Sequence, residues 1–326
     1  MAEVLVSEAI DEEPLAPLRA THQVLVVPDL WQDAAELRRQ LTTARAWIVR
    51  NQTRVTAELI AAAPRLEVIG RCGAGLDNID LAAASEAGVA VVYAPLQNAV
   101  SVAELTLALL LALARRLPAM DAATKAGRWD RHAFTGVELY GKTLGIVGLG
   151  RIGFLVARRA QALGMRILAH DPHTNPHHPM VLESGAELVE LDVLLGRSDA
   201  VSCHLPSTDS TRGLFNADRL ARFKPGALFL NLARGDVVDE PALIEALRSG
   251  RLGGAALDVR AVEPPVPGEL ERLTNVILTP HVAAFTHEAQ QRVVQAVCRD
   301  VAAVLAGRPA HQMANRPAAR PRRALG

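Results

Sequence analysis

The segment Gly148-Leu149-Gly150-Arg151-Ile152-Gly153 constrains this chain more than any other. It stands between a run of strand formers, Thr143 to Val147, and an amphipathic helical pattern, Ile152 to Leu163, that Gly164 ends. In such a strand-to-helix turn the first glycine permits the tight bend, the second lets backbone approach a pyrophosphate, and the third lets helix and strand pack closely. The unpaired N–H groups of the helix start then face the phosphates. The next apolar run, Arg166 to Ala169, leads into His170-Asp171-Pro172. Asp171 lies about 18 residues beyond Gly153, where an acidic side chain accepts hydrogen bonds from the adenosine ribose and repels a 2′-phosphate. The chain is therefore expected to bind NAD in preference to NADP, with Gly148, Gly150, Arg151, Ile152, Gly153 and Asp171 at the cofactor.

The rest of the chain repeats this alternation. Val24 to Val27, Ala46 to Val49, Leu66 to Ile69 and Val89 to Val92 read as strands, each followed by a polar or helix-forming stretch such as Gln32 to Ala44. A long helix is expected from Val102 to Arg116, capped by Ser101. Beyond Ala169, Ala200 to Cys203, Ala227 to Leu230, Gly254 to Leu257 and Val276 to Leu278 continue a sheet, with a helix over Pro241 to Ser249 and a last one over Glu288 to Ala306. Alternation of this kind predicts an α/β fold of parallel sheets covered by helices. At 326 residues the chain is long enough for two such domains. The Pro-, Ala- and Arg-rich tail, Pro309 to Gly326, is expected to be disordered beyond Pro317.

Composition removes several functions. Lys plus Arg and Asp plus Glu are 35 each and aromatic residues only 3%, so neither charge nor stacking platforms point to nucleic acid or to an anionic membrane. Cys72, Cys203 and Cys298 are odd in number and widely spaced, and form no disulfide framework or metal motif. His173, His177 and His178 stand between Pro172 and Pro179 with few acidic or cysteine neighbours, which predicts a solvated loop and no metal. Met1 to Pro14 carries five acidic residues and no basic or long apolar run, and Leu105 to Ala114 is too short to cross a bilayer. A soluble, cytoplasmic protein is expected.

Three residues downstream of the glycines suit oxidation chemistry: Arg234 in Asn231-Leu232-Ala233-Arg234-Gly235-Asp236, Glu263 before Pro264-Pro265, and His281 after Thr279-Pro280. Oxidising a 2-hydroxy acid needs a fork of donors for the carboxylate, a base for the hydroxyl proton, and a positioned hydride acceptor. The Arg234 guanidinium suits the first task, and His281 suits the second because histidine is the side chain whose unperturbed pKa lies near neutrality. Glu263 on the other ring nitrogen would fix the tautomer. Each of the three follows a predicted strand, and the carboxyl ends of such strands border the nucleotide crevice.

On these segments, together with Ala255-Ala256-Leu257-Asp258-Val259, the chain resembles the D-isomer-specific 2-hydroxyacid dehydrogenases over nearly its whole length, to about Pro317. The resemblance implies that Arg234, Glu263 and His281 are catalytic, that Asp258 faces the nicotinamide carboxamide, and that Pro206 and Ala233 line the cofactor. It implies two doubly wound parallel-sheet domains: a Rossmann NAD-binding domain, 99–287, inserted into a flavodoxin-like substrate domain of 1–98 plus 288–326. A homodimer is implied through the Val102 helix and the Trp129 segment. Within the family, Arg71 to Asn78, Asn98 to Thr106 and Lys125 to Trp129 resemble the branch acting on 3-phosphoglycerate, in a short form without the serine-sensing regulatory domain. There the backbone of Gly73, Ala74 and Gly75 holds the substrate carboxylate, while Arg50 and Arg71 suit the phosphate. The chain departs from that branch at Ala74, where Thr is usual, at Ala283-Ala284, where a glycine is usual, and at Phe285, a bulky residue expected to reshape the pocket. Two other functions fit the same motifs: a glyoxylate or hydroxypyruvate reductase, and an NAD-responsive corepressor-like scaffold.

Overall fold

In the computed structural model, which describes residues 2–318, the alternation becomes two sheets in which every strand pair is parallel. This is the α/β architecture that the sequence predicts. The chain divides into two compact units, one made of Met1–Asn98 and Phe285–Gly326, the other of Ala99–Ala284.

The first unit holds β1 (Val4–Val6), β2 (Val24–Val26), β3 (Ala46–Val49), β4 (Val68–Arg71) and β5 (Ala90–Tyr93), in the order β2-β1-β3-β4-β5. No strand is predicted from the sequence at Val4-Leu5-Val6, which is nevertheless central and fully buried. A strand covered on both faces shows no alternation, and three apolar residues are too few to stand out. β4 begins two residues later than its apolar run, because the Leu66 N–H donates to the carbonyl of Ala63 in the turn that precedes it. The helix His287–Leu305, capped by the Thr286 hydroxyl on the N–H of Ala289, lies on this sheet. Its Val293, Val294, Val297 and Val301 share one core with Val4, Val6, Ile48, Val68 and Val92. A Cβ on Gly70 would come within 2.7 Å of Val297 and 2.8 Å of Val301, so helix and strand meet without room for a side chain.

Past that helix the chain returns along the sheet edge. The Ala314 N–H donates to the Val91 carbonyl at 2.8 Å, and the Asn315 side chain serves the Val91 N–H, the Val89 carbonyl and the Ser85 hydroxyl. The sequence predicts disorder only beyond Pro317. Ala318 donates to the Ser85 carbonyl, and the remainder of the tail lies outside the described residues.

The second unit carries seven strands: β6 (Thr143–Val147), β7 (Arg166–His170), β8 (Glu187–Leu188), β9 (Ala200–Cys203), β10 (Ala227–Asn231), β11 (Leu252–Leu257) and β12 (Val276–Leu278). Their order is β12-β11-β10-β9-β6-β7-β8. The chain runs outward from β6 to β8 and resumes on the other side with β9, so the order reverses between β6 and β9. Ligands of such sheets bind outside the carboxyl ends at this switch point.

The helix Ala99–Ala114 starts three residues before the expected Val102, which places Ser101 inside it. Ser101 is therefore no cap. Its buried hydroxyl donates to the carbonyl of Ala283 at 2.6 Å. Capping rules assume a solvated helix start, whereas this one begins buried, with Ala99, Val102 and Ala103 all covered. No helix among the described residues is long and apolar enough to cross a membrane.

Candidate active site

The crevice at the end of β6 is built as its glycines require. Gly148 has φ +94°, and a Cβ there would meet the His204 carbonyl oxygen at 2.9 Å. A Cβ on Gly150 would meet nothing within 4 Å, which leaves the open space a pyrophosphate needs. One on Gly153 would lie 2.2 Å from the Gly148 oxygen, the close helix-to-strand packing expected of the third glycine. The helix Arg151–Ala162 has no side chain bonded at its N-terminus, so its first-turn amides face the crevice. Asp171, at the end of β7, accepts from the Leu149 N–H and the His173 N–H, both at 2.9 Å. A carboxylate has about four acceptor sites, so Asp171 braces the glycine loop and retains capacity for ribose hydroxyls. These residues fit a dinucleotide. Pro206 lies beyond β9, its carbonyl accepting from the Thr211 hydroxyl. The nearby His178 does local work, its ring capping Met180.

The three candidate catalytic residues follow β10, β11 and β12. After β10, the buried Asn231 bonds the Ala233 N–H and the Arg234 carbonyl, latching the turn that presents Arg234. Gly235 then packs on the next loop so tightly that a Cβ would fall 1.9 Å from the carbonyl carbon and oxygen of Arg260. After β11, Glu263 divides its carboxylate: Oε1 accepts from the Arg260 N–H at 2.9 Å and Oε2 pairs with His281 Nδ1 at 2.7 Å. Burial alone would raise the Glu263 pKa. The bonds from His281 and Arg260 and the charge of Arg234 outweigh it and hold the carboxyl below its usual range. An ionised Glu263 accepts a hydrogen bond from Nδ1–H and so leaves Nε2 as the acceptor nitrogen. The site thus pairs a carboxylate with a half-exposed imidazole under the charge of Arg234, whose Nη1 donates to the Ala233 carbonyl at 2.8 Å.

His281 itself sits in left-handed backbone, φ +54°, a conformation unfavourable by about 1–3 kcal/mol without support. That support comes from Asp258. The Asp258 carbonyl accepts the His281 N–H at 2.8 Å, while its carboxylate accepts from the Thr279 hydroxyl and from the N–H groups of Val282 and Ala283. The family resemblance places Asp258 at the nicotinamide. In the structure its carboxylate is turned onto the His281 loop and is 1% exposed.

In the first unit, the candidate substrate residues cluster at the carboxyl ends of β3 and β4, where Val49 pairs with Arg71. The Glu8 side chain, which no sequence motif marks, organises this end. Buried beyond β1, it accepts from the N–H groups of Arg50, Asn51, Gln52 and Thr53 at 2.7–3.1 Å. The Asn78 amide adds bonds to the carbonyls of Arg50 and Thr53. The Arg50 guanidinium rests 4.1 Å from the centre of the Phe285 ring, so Phe285 forms a platform for Arg50. Burial lowers the Arg50 pKa, with Cys72 and Glu8 opposing the shift. Arg71 donates to the Cys72 carbonyl. Gly73, at φ +152°, gives its N–H to the Arg71 carbonyl at 2.9 Å. Of the three amides expected to hold a carboxylate, Gly73 is thus already engaged, while those of Ala74 and Gly75 donate to no acceptor among the described residues.

The fold and this cluster together define a class. The chain belongs to the D-isomer specific 2-hydroxyacid dehydrogenases: the model of that family's NAD binding domain matches residues 107–283. Among individual relatives it is 43% identical over 319 residues to the D-3-phosphoglycerate dehydrogenase of Archaeoglobus fulgidus. That match covers 98% of this chain and 60% of the relative, so the chain spans little more than half the length of that protein. Of solved structures, the TT0316 protein of Thermus thermophilus matches with a TM-score of 0.88 at 38% identity, covering 95% of this chain and 99% of that one. A glyoxylate reductase from Paecilomyes thermophila matches with a TM-score of 0.86 at 32% identity, covering 95% and 97%.

Proposed function

We propose that this chain is an NAD-dependent dehydrogenase that interconverts a D-2-hydroxy acid with its 2-keto acid, and that its preferred pair is 3-phosphoglycerate and 3-phosphohydroxypyruvate. The observation that carries the chemistry is the 2.7 Å pair of His281 and Glu263 under the charge of Arg234, on strand ends of the sheet that also bears the glycine turn. Bound NAD supplies the hydride acceptor. His281 Nε2 takes the hydroxyl proton, Glu263 stabilises the imidazolium, and Arg234 binds the carboxylate in a planar fork. In the reverse direction His281 returns the proton to the keto oxygen. Asp171 and the amides of Arg151, Ile152 and Gly153 would hold the dinucleotide, as its ribose and pyrophosphate chemistry requires.

The choice of acid rests on relatives named D-3-phosphoglycerate dehydrogenase and on two arginines, Arg50 and Arg71, at adjoining strand ends. A dianionic phosphate favours several cationic donors. NADH oxidation with phosphohydroxypyruvate, hydroxypyruvate, glyoxylate and pyruvate tests this. The highest kcat/KM is expected for phosphohydroxypyruvate, with Arg50→Ala raising its KM far more than that of glyoxylate; equal effects would overturn the assignment. His281→Ala is expected to lower kcat about a hundredfold with NADH binding intact. We further assign homodimer formation to the region of residues 111–140, where Leu111, Leu117, Trp129, Val137 and Tyr140 expose apolar surface. Light scattering that finds only monomer would refute it.

A further inference from the structure

We propose that Arg260 is the positioning residue that sets Glu263 against His281. The inference rests on the catalytic reading above and adds a residue to which that reading gives no task. Arg260 follows β11, and its side chain is only 12% exposed. Its Nε and Nη2 reach the two oxygens of Glu240 at 3.1 and 2.9 Å, and its Nη1 reaches Glu271 at 2.5 Å. Glu240 opens the helix Glu240–Arg248, which follows the Arg234 turn, and Glu271 lies in the short helical turn Leu270–Arg272 that closes the Glu263 loop. Each carboxylate also holds loop backbone, Glu240 the Ala261 N–H at 2.9 Å and Glu271 the Gly268 N–H at 2.7 Å.

The side chain of residue 260 is therefore pinned to two elements, its carbonyl is packed against Gly235, and its N–H holds Oε1 of Glu263. A carboxylate with one oxygen fixed in this way has its other oxygen directed, and here that oxygen meets His281. Burying such an ion cluster gives little net stability, since apolar residues of similar volume often serve as well or better. What an apolar residue does not reproduce is the register. Nor does lysine, whose single ammonium lacks the planar fork that meets two carboxylates at once.

The charged groups around the imidazole are Glu263 on Nδ1, Arg234 acting on Glu263, Asp258 behind the same loop, and Glu240 and Glu271 beyond Arg260. Removing the Arg260 charge alone would leave Glu240 and Glu271 uncompensated and push His281 towards protonation. Misplacing Glu263 does the opposite. The test therefore uses two changes that keep the local net charge, Arg260→Lys and the double change Arg260→Met with Glu240→Gln, alongside Glu263→Gln.

The His281 ring proton is followed by NMR from pH 5 to 9 in the full chain without cofactor, the signal being assigned by its loss in His281→Ala. Glu263→Gln is expected to lower the midpoint of protonation. Both Arg260 variants are expected to move it in the same direction, Lys less than Met, and to lower kcat about tenfold with KM and NADH affinity little changed. Folded Arg260 variants that titrate like wild type while Glu263→Gln shifts would overturn the proposal. A midpoint that Glu263→Gln does not move would overturn it as well, along with the catalytic pair itself. A wild-type chain that turns over none of the acids but shows these shifts would refute the dehydrogenase reading and leave the role of Arg260 supported.

Discussion

Adding one methyl group at Gly235 tests how closely the two loops of the catalytic cluster depend on each other. In Gly235→Ala the new Cβ would stand 1.9 Å from the carbonyl carbon and oxygen of Arg260 and 2.5 Å from the Ala261 nitrogen, where ordinary contact begins at 3.4 Å. Those atoms are backbone, so no rotamer change relieves the clash, and the loops must part by about 1.5 Å. The displaced residue is the one whose N–H holds Glu263. Misplacement by about 1 Å costs on the order of a hundredfold in rate, and overpacking costs about 1–3 kcal/mol. The expected outcome is a kcat about a hundredfold lower and a melting temperature lower by several degrees. NADH affinity should be nearly unchanged, because Gly148 to Gly153 and Asp171 follow β6 and β7, away from the displaced loops. Steady-state kinetics, a thermal melt and NADH fluorescence titration measure these. A kcat within about twofold of wild type would refute the reasoning, since the contact would then be absorbed without moving Glu263.

Other perturbations probe the remaining parts. Asp171→Asn is expected to weaken NADH binding and narrow the preference for NADH over NADPH, because it removes the charge that repels a 2′-phosphate; an unchanged preference in paired kinetics would count against Asp171 as a cofactor residue. Glu8→Gln leaves one acceptor oxygen where two now hold four amides, so a loss of about 2–4 kcal/mol in urea unfolding is expected, and a loss below about 1 kcal/mol would show that the Arg50 loop holds without it. Bonds from Arg260 and the Gly268 N–H pull the Glu271 carboxyl down from 4.5 to about 2. A depressed carboxylate contributes its stability in full above the unfolded value and loses it as pH falls towards the folded one. The stability gap between wild type and Glu271→Gln should therefore be constant above pH 4.5 and narrow between 4.5 and 2; a gap that stays level down to about pH 3 would contradict the shift.

What could be read from the sequence was local. The glycine turn, Asp171 and the segments carrying Arg234, Glu263 and His281 are legible because each function resides in a few adjacent residues at a strand end. What escaped depends on partners far away in the chain. Glu8 holds amides 42 to 45 residues downstream, Arg260 bonds Glu240 20 residues upstream, and Asp258 holds backbone more than 20 residues on. In sequence each is one more charged residue in a loop. Ser101 misled for a related reason: its position fits a cap, yet its partner is a carbonyl 182 residues away. β1 is illegible in the sequence because burial on both faces removes the alternation that marks a strand.

The discontinuity of the first unit sets an order of events during synthesis. Its sheet is complete once Tyr93 has been made, but the valines that cover one face of it, Val293 to Val301, are encoded after the whole of Ala99–Ala284. The second unit is continuous and has its own apolar cores, so it can fold while the ribosome is still at work. Throughout that interval the β1–β5 sheet has only Leu15 and Leu18 of this core in place and leaves the apolar surface under the last helix open to chaperones or to other nascent chains. Ribosome-bound chains in which residue 286, or residue 305, is the last to have left the exit tunnel should therefore differ sharply in protease resistance within residues 4–93, and equal resistance would show that the sheet closes without its C-terminal helix.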